Sequence, residues 1–191
     1  MGNNVNKIIV AICGLVFALS GSVSQALVFD LSWEGAAGYS MSGQFSYDDS
    51  LINTGSIGAR DLDTFSIEVF QNGESISTWD LILDGISNTA FNFNFNTDAE
   101  MFNLGGSIFS SHGQYWNMAS TTCNGAGFRS SETIQIVCAD GVWRPESLTA
   151  VNSNSLQAVR HELTTVPVPP SIVLFLSGCL SLYGFRWIAK Y

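Results

Sequence analysis

The segment Ala90-Phe-Asn-Phe-Asn-Phe-Asn96 constrains this chain more than any other. Phenylalanine and asparagine alternate with a period of two, and an extended strand turns that pattern into one apolar and one polar face. Wound as a helix, the same residues would scatter their rings around the axis. The segment therefore predicts a strand that buries Phe91, Phe93 and Phe95 and leaves Asn92, Asn94 and Asn96 on the other side.

The same period recurs along the middle of the chain. Phe29, Leu31 and Trp33 alternate with polar residues, as do Met41, Gly43, Phe45 and Tyr47, then Phe65, Ile67 and Val69. Trp79, Leu81 and Leu83 continue the pattern, with Ile82 making that strand apolar on both faces. Further strands are expected at 107–110, 114–119 and 133–138. Gln71-Asn72-Gly73-Glu74 lies between two alternating runs and reads as a hairpin with a type I′ turn. Leu156, Val159 and Leu163 recur at helical spacing and predict a short helix over 155–163. The fold class expected is all-β, an antiparallel β-sandwich of jelly-roll-like form, with a closed barrel as the structural alternative.

Charge is distributed unevenly. The mean hydropathy is +0.22 although the net charge is −9. Every acid falls between Asp30 and Glu162, where sixteen acids face four bases for a net of −12. Such a field repels a phosphate backbone, which excludes nucleic acid as a partner.

The two ends carry no acid and read as addresses. Lys7 precedes an apolar run from Ile8 to Leu19, and Ser24 and Ala26 are small residues placed for cleavage between Ala26 and Leu27. Residues 1–26 thus read as a secretory signal peptide, which implies the Sec translocon and signal peptidase as partners. At the other end, Val166-Pro167-Val168-Pro169-Pro170 precedes an uncharged stretch, expected as a single transmembrane helix over about 171–188 and tipped by Arg186 and Lys190. Between them, residues 27–145 are expected as the β-sandwich domain and 146–165 as a polar stalk.

That tail resembles the PEP-CTERM sorting signal of Gram-negative surface proteins, with Val168 standing where the motif's name places glutamate. The resemblance covers 166–191 and implies an exosortase-like membrane protease as partner. It also implies an inner-membrane intermediate, then a destination at the cell surface or outside the cell, in association with exopolysaccharide and biofilm. The motif residues are Val166, Pro167, Val168, Pro169 and Pro170, with Arg186 and Lys190 in place of a denser basic cluster.

Of the four cysteines, only Cys123 and Cys138 lie outside the apolar ends. Their separation suits a disulfide in an oxidising compartment, and no CxxC or histidine cluster favours a metal pair. Catalytic motifs are absent from the sequence, so no catalytic residue is assigned. His112 stands beside Ser110 and Ser111, but neighbours on a strand point to opposite faces, and His161 lies near the stalk. Glu34, Glu68, Asp80 and Asp84 are the carboxylates a glycosidase reading would need, and each fits the solvent face of its strand. Asp48, Asp49, Asp61 and Asp63 flank a glycine-containing loop and are candidate oxygen ligands for Ca2+. The function expected is that of an exported structural or adhesive protein of the surface or matrix. The alternative is a carbohydrate-binding module or a secreted glycan hydrolase.

Overall fold

The computed structural model describes residues 25–86, 89–120, 122–151 and 156–161. All of them belong to the first of two compact units, Met1–His161, and the second, Glu162–Tyr191, lies outside the described residues.

Strands β1 (Ala26–Glu34), β2 (Tyr39–Asp48), β3 (Ser56–Gly58), β4 (Leu62–Gln71) and β5 (Glu74–Asp80) follow one another from the start of the described chain. The Phe-Asn segment then supplies β6 (Ala90–Asn92) and β7 (Asn94–Asn96), followed by β8 (Met101–Phe102). After it come β9 (Gln114–Ala119), β10 (Thr122–Ser130), β11 (Ile134–Ala139), β12 (Val142–Trp143), β13 (Thr149–Ala150) and β14 (Gln157–Arg160). A five-stranded sheet has the order β14-β1-β2-β4-β5, and a six-stranded sheet has β12-β11-β10-β9-β6 with β13 also on β11. A small third sheet joins β3, β7 and β8, and all the pairings are antiparallel.

Register explains the core. Phe29, Phe45 and Phe65 face one another across β1, β2 and β4, and Trp33 pairs with Met41, which in turn pairs with Val69. Trp116 of β9 and Phe128 of β10 meet this layer from the six-stranded sheet. Phe65 and Trp116 lie 4.9 Å apart between ring centres, and Trp33 and Phe128 lie 5.5 Å apart. Each ring is fully buried, a gain of roughly 1.5–3 kcal/mol per side chain on transfer from water. At Gly43 the five-stranded sheet closes tightly, for a Cβ there would stand 2.1 Å from the Ser66 carbonyl oxygen.

The alternating Phe-Asn segment does not run in one sheet. Asn92 pairs with Tyr115 in the six-stranded sheet, whereas Asn94 to Asn96 pair with Gly58 to Ser56 in the small one. Phe93, the residue between, is buried with Phe95, so the phenylalanines keep to the core while the backbone changes partners. Hydrophobic period fixes a side, but it leaves the choice of hydrogen-bonding neighbour open.

This arrangement corrects the expected jelly-roll-like sandwich, and the barrel alternative with it: the strands form three separate antiparallel sheets in neither topology. The expected membrane-anchored architecture is corrected as well. Among the described residues no helix is long and apolar enough to cross a membrane, and the helical pieces are three single 3-10 turns. The proposed span at 171–188 lies outside the described residues. The expected inner-membrane intermediate on the way to the cell surface has no spanning helix behind it among the described residues. The translocon, signal peptidase and exosortase-like protease expected with it likewise have no membrane-spanning helix to act on among the described residues.

Three local readings also change. The stretch 107–110 is a turn rather than a strand, and β5 stops at Asp80. There the Asp80 carboxylate accepts the N–H groups of Ile82 and Leu83 at 2.8 and 2.9 Å, which bends the chain and leaves those side chains 66% and 84% exposed. The expected helix over 155–163 is instead strand β14 at Gln157–Arg160, with Leu156 buried and Ala158 packed on the core. Pairing with β1 satisfies its backbone, and three apolar residues were too short a pattern to separate the two periods. The presumed stalk thus contributes both β13 and β14 to the sheets.

Candidate binding surface

The face of the six-stranded sheet turned away from the core carries the chemistry. Phe128 pairs with Trp116 and Val137 on the core side, so its neighbour Arg129, opposite Tyr115 and Ile136, belongs to the outer side. Next along that face, Cys138 pairs with both Gly127 and Trp143. The turn that places Trp143 is Asp140-Gly141, whose φ values of 49° and 78° give the two left-handed residues of a type I′ hairpin.

Cys138 is joined to Cys123 by a disulfide across the irregular part of β10. Tyr115, Met118 and the two cysteines form a small apolar cluster, with Ile108 and Trp143 against it. Over this floor the Arg129 guanidinium lies 5.4 Å from the centre of the Trp143 ring, a cation–π arrangement. Phe109 lies 5.0 Å from Tyr115 between ring centres, tilted by 59°, and is 65% exposed, the single exposed aromatic among the described residues. Three N–H donors here, Arg129 Nε, Trp143 Nε1 and the neighbouring Arg144 Nε, are buried without a hydrogen-bond partner. Sequence reading passed over Arg129 and Trp143. The alternation Gly127-Phe128-Arg129 and the Asp140-Gly141 turn were the signals that would have placed them on one face.

The five-stranded sheet presents a different surface. Its outer rows run Asp30, Gln44, Ser66, Asp80 and Ser32, Ser42, Glu68, Thr78. Asp30 accepts hydrogen bonds from Gln44 Nε2 at 2.7 Å and contacts His161 Nδ1 at 3.0 Å. The His161 contact first, then the Gln44 amide, holds the Asp30 carboxyl below its ordinary value. At one end of the molecule Tyr39 donates its hydroxyl to Glu146 at 2.8 Å. Burial raises the phenol, while the bond to its own backbone N–H and then Tyr39 lower the Glu146 carboxyl.

The other candidate residues are dispersed. Asp48 accepts from the Ser50 N–H, Asp49 from the Gln25 N–H and Asp61 from the Gly58 N–H, while Asp63 sits exposed in the register shift of β4. The carboxylates of Asp48 and Asp61 thus serve local turns, and that of Asp49 reaches back to the residue ahead of β1. Among the described residues no group of three or more His, Cys, Asp or Glu side chains is placed to hold a metal. Asp80 and Asp84 build the turn after β5, where Asp84 accepts the Asp80 N–H at 2.8 Å. Glu34 and Glu68 lie on the outer side of β1 and β4 as expected of solvent-facing residues. Ser111 Oγ and His112 Nδ1 do meet at 3.0 Å, because this segment is a turn and the opposite-face argument for a strand does not apply. Both are exposed, and no carboxylate contacts His112 among the described residues.

Ala26 opens β1 opposite Asp48, and Leu27 packs on the core, so the expected cleavage bond falls at the first pair of the ladder. The sorting residues Val166 to Pro170, Arg186 and Lys190 lie outside the described residues. The chain matches no protein-family model, no curated protein and no solved structure. The tail's resemblance accordingly rests on residues 166–191 alone.

Proposed function

We propose that this protein is a non-catalytic structural or adhesive protein of an oxidising, extracytoplasmic compartment. The observation that carries the reading is the Cys123–Cys138 disulfide, which staples the irregular middle of β10 to β11. Reducing cytosol does not maintain such a bond, and its closed loop stabilises a small domain that works outside the cell. Buried aromatics throughout the core fit persistence, and function falls to the sheet faces. The resemblance of residues 166–191 to a sorting signal of exported proteins points the same way.

Carbohydrate binding is the second reading, favoured by Phe109, Arg129 and Trp143 on one sheet face. Hydrolysis has no comparable support, since the four carboxylates it would use build turns or face solvent.

The test is thiol trapping in cells with a maleimide reagent, followed by mass analysis of the full chain. Cys123 and Cys138 should resist labelling until a reductant is added, and the protein should fractionate with extracellular polymer. Labelling of both cysteines without reductant, or recovery in the cytosol, would end the proposal.

A further inference from the structure

We infer that the turn following β5 is a docking point for a lipid surface, with Ile82, Leu83 and Ile86 entering a layer of zwitterionic, amine-bearing headgroups. Such a contact is additional to the disulfide-based reading above and needs no spanning helix.

Three observations converge. The first is apolar exposure gathered in one place. Ile82, Leu83 and Ile86 are 66%, 84% and 52% exposed, three large aliphatic side chains within five residues. The other large apolar side chains exposed among the described residues, Met101, Phe109, Val142, Leu148 and Val159, fall singly on separate elements. Single exposed side chains are ordinary on a protein surface, whereas a cluster marks a contact.

The second is rigidity. Besides the two N–H groups that Asp80 Oδ1 accepts, the Asp80 N–H donates to Asp84 Oδ2 at 2.8 Å and the Asp84 N–H to the Asp80 carbonyl at 2.9 Å. The Leu81 N–H donates to the Phe65 carbonyl at 2.9 Å, and the Trp79 indole N–H to the Gly85 carbonyl at 3.1 Å. The turn is thus tied at both ends to the core, on which Leu81 also packs. The fold holds these aliphatic side chains out in water, and a contact made there costs little further ordering of the chain.

The third is charge. No lysine or arginine occurs between Arg60 and Arg129, and the turn carries the carboxylates of Asp80 and Asp84.

Together these select among partners. Three side chains offer on the order of a few hundred Å2. A stable protein interface covers about 800 Å2 on each partner, so the turn is too small to hold a second copy of the chain. Hydrocarbon accepts aliphatic side chains without a surface of matching shape, and the binding grows with apolar area. The acids decide the headgroup. An anionic layer meets the net −12 of the region between Asp30 and Glu162 and is repelled. A zwitterionic layer has no net charge, and its ammonium groups lie outermost, where Asp80 and Asp84 flank the inserted side chains.

The experiment is methyl NMR of the full chain with phosphatidylcholine bicelles that contain a gadolinium-chelating lipid. The methyl signals of Ile82, Leu83 and Ile86 should broaden strongly. Those of Val159, exposed on β14 at the opposite edge of the five-stranded sheet, should not. Replacing half of the phosphatidylcholine by phosphatidylglycerol should reduce the broadening. Leu83→Ser should lower the lipid affinity read from the Ile82 and Ile86 signals roughly tenfold, and Val159→Ser should leave it unchanged. Both side chains are exposed, so the remaining signals should keep their positions and report an intact fold. Ile86→Ser, read from Ile82 and Leu83, is a second variant with the same expected loss. No broadening at the turn, equal broadening at Val159, or stronger broadening with phosphatidylglycerol would each overturn the site. A dimer in lipid-free solution that Leu83→Ser dissociates would assign the turn to a second copy instead and overturn it too. None of those results would touch the disulfide-based reading, which stands or falls on thiol trapping.

Discussion

The Trp33 indole N–H donates to the Gln135 side-chain oxygen at 2.9 Å, a buried bond that joins β1 of one sheet to β11 of the other. Both residues sit among apolar side chains, where an unmet donor has no water to turn to. Gln135→Ala should therefore cost roughly 1–3 kcal/mol beyond the loss of packing, measured by urea unfolding. Trp33→Phe with Gln135→Leu removes both partners together and should cost less than the sum of the single changes. Additive costs would show that the bond is not coupled.

Asn92 and Asn94 together pin the turn ahead of β9. The Asn92 amide reaches the carbonyls of Ile108, Ser110 and Gly113, and the Asn94 amide reaches those of Ser110 and Gly113. Replacing either by alanine should destabilise the fold by about 1 kcal/mol. The double replacement should exceed the sum, because each amide is the other's backup at two shared carbonyls. Limited proteolysis should then cut within 104–113, and resistance equal to the parent's would refute the pinning role.

Loss of the Cys123–Cys138 link should lower stability by roughly 3 kcal/mol on the chain-entropy view for a loop of this length. The paired change to alanine, compared with the oxidised parent by thermal unfolding, measures it. An unchanged midpoint would show that the irregular strand is held by packing alone.

The Asp30 carboxyl is held low mainly by His161, then by Gln44. A group depressed in the folded state stabilises the fold above its unfolded pKa, and that contribution is lost as pH falls through the folded value. The acid limb of stability should thus weaken below about pH 4, modestly, because the pair is exposed. Carbon-detected NMR titration checks the cause: His161→Ala should raise the Asp30 midpoint toward its ordinary value. A midpoint that stays put would assign the shift to Gln44.

Much of the core was legible in the sequence. Phe29, Phe45, Phe65 and Trp33 are buried because a period of two writes the inward side of a strand into the chain, whereas the strand that carries Phe128 was not read from the sequence. Asn72-Gly73 likewise forms its hairpin with φ of 52° and 82°, opposite Gln71 and Glu74. Local chemistry misled where a side chain overrode the pattern. Leu83 continues an apolar alternation, yet the Asp80 carboxylate captures the two N–H groups ahead of it and ends the strand.

By itself the sequence determined the inward side of the alternating strands β1, β2 and β4 and the tight turn at Asn72-Gly73. The tertiary structure decided which strands are neighbours, and so divided the Phe-Asn segment between two sheets and gathered Arg129 and Trp143 onto one surface. The reason is physical. Burial is a property each residue carries along the chain, whereas strand pairing is a competition among backbones that all offer the same donors and acceptors.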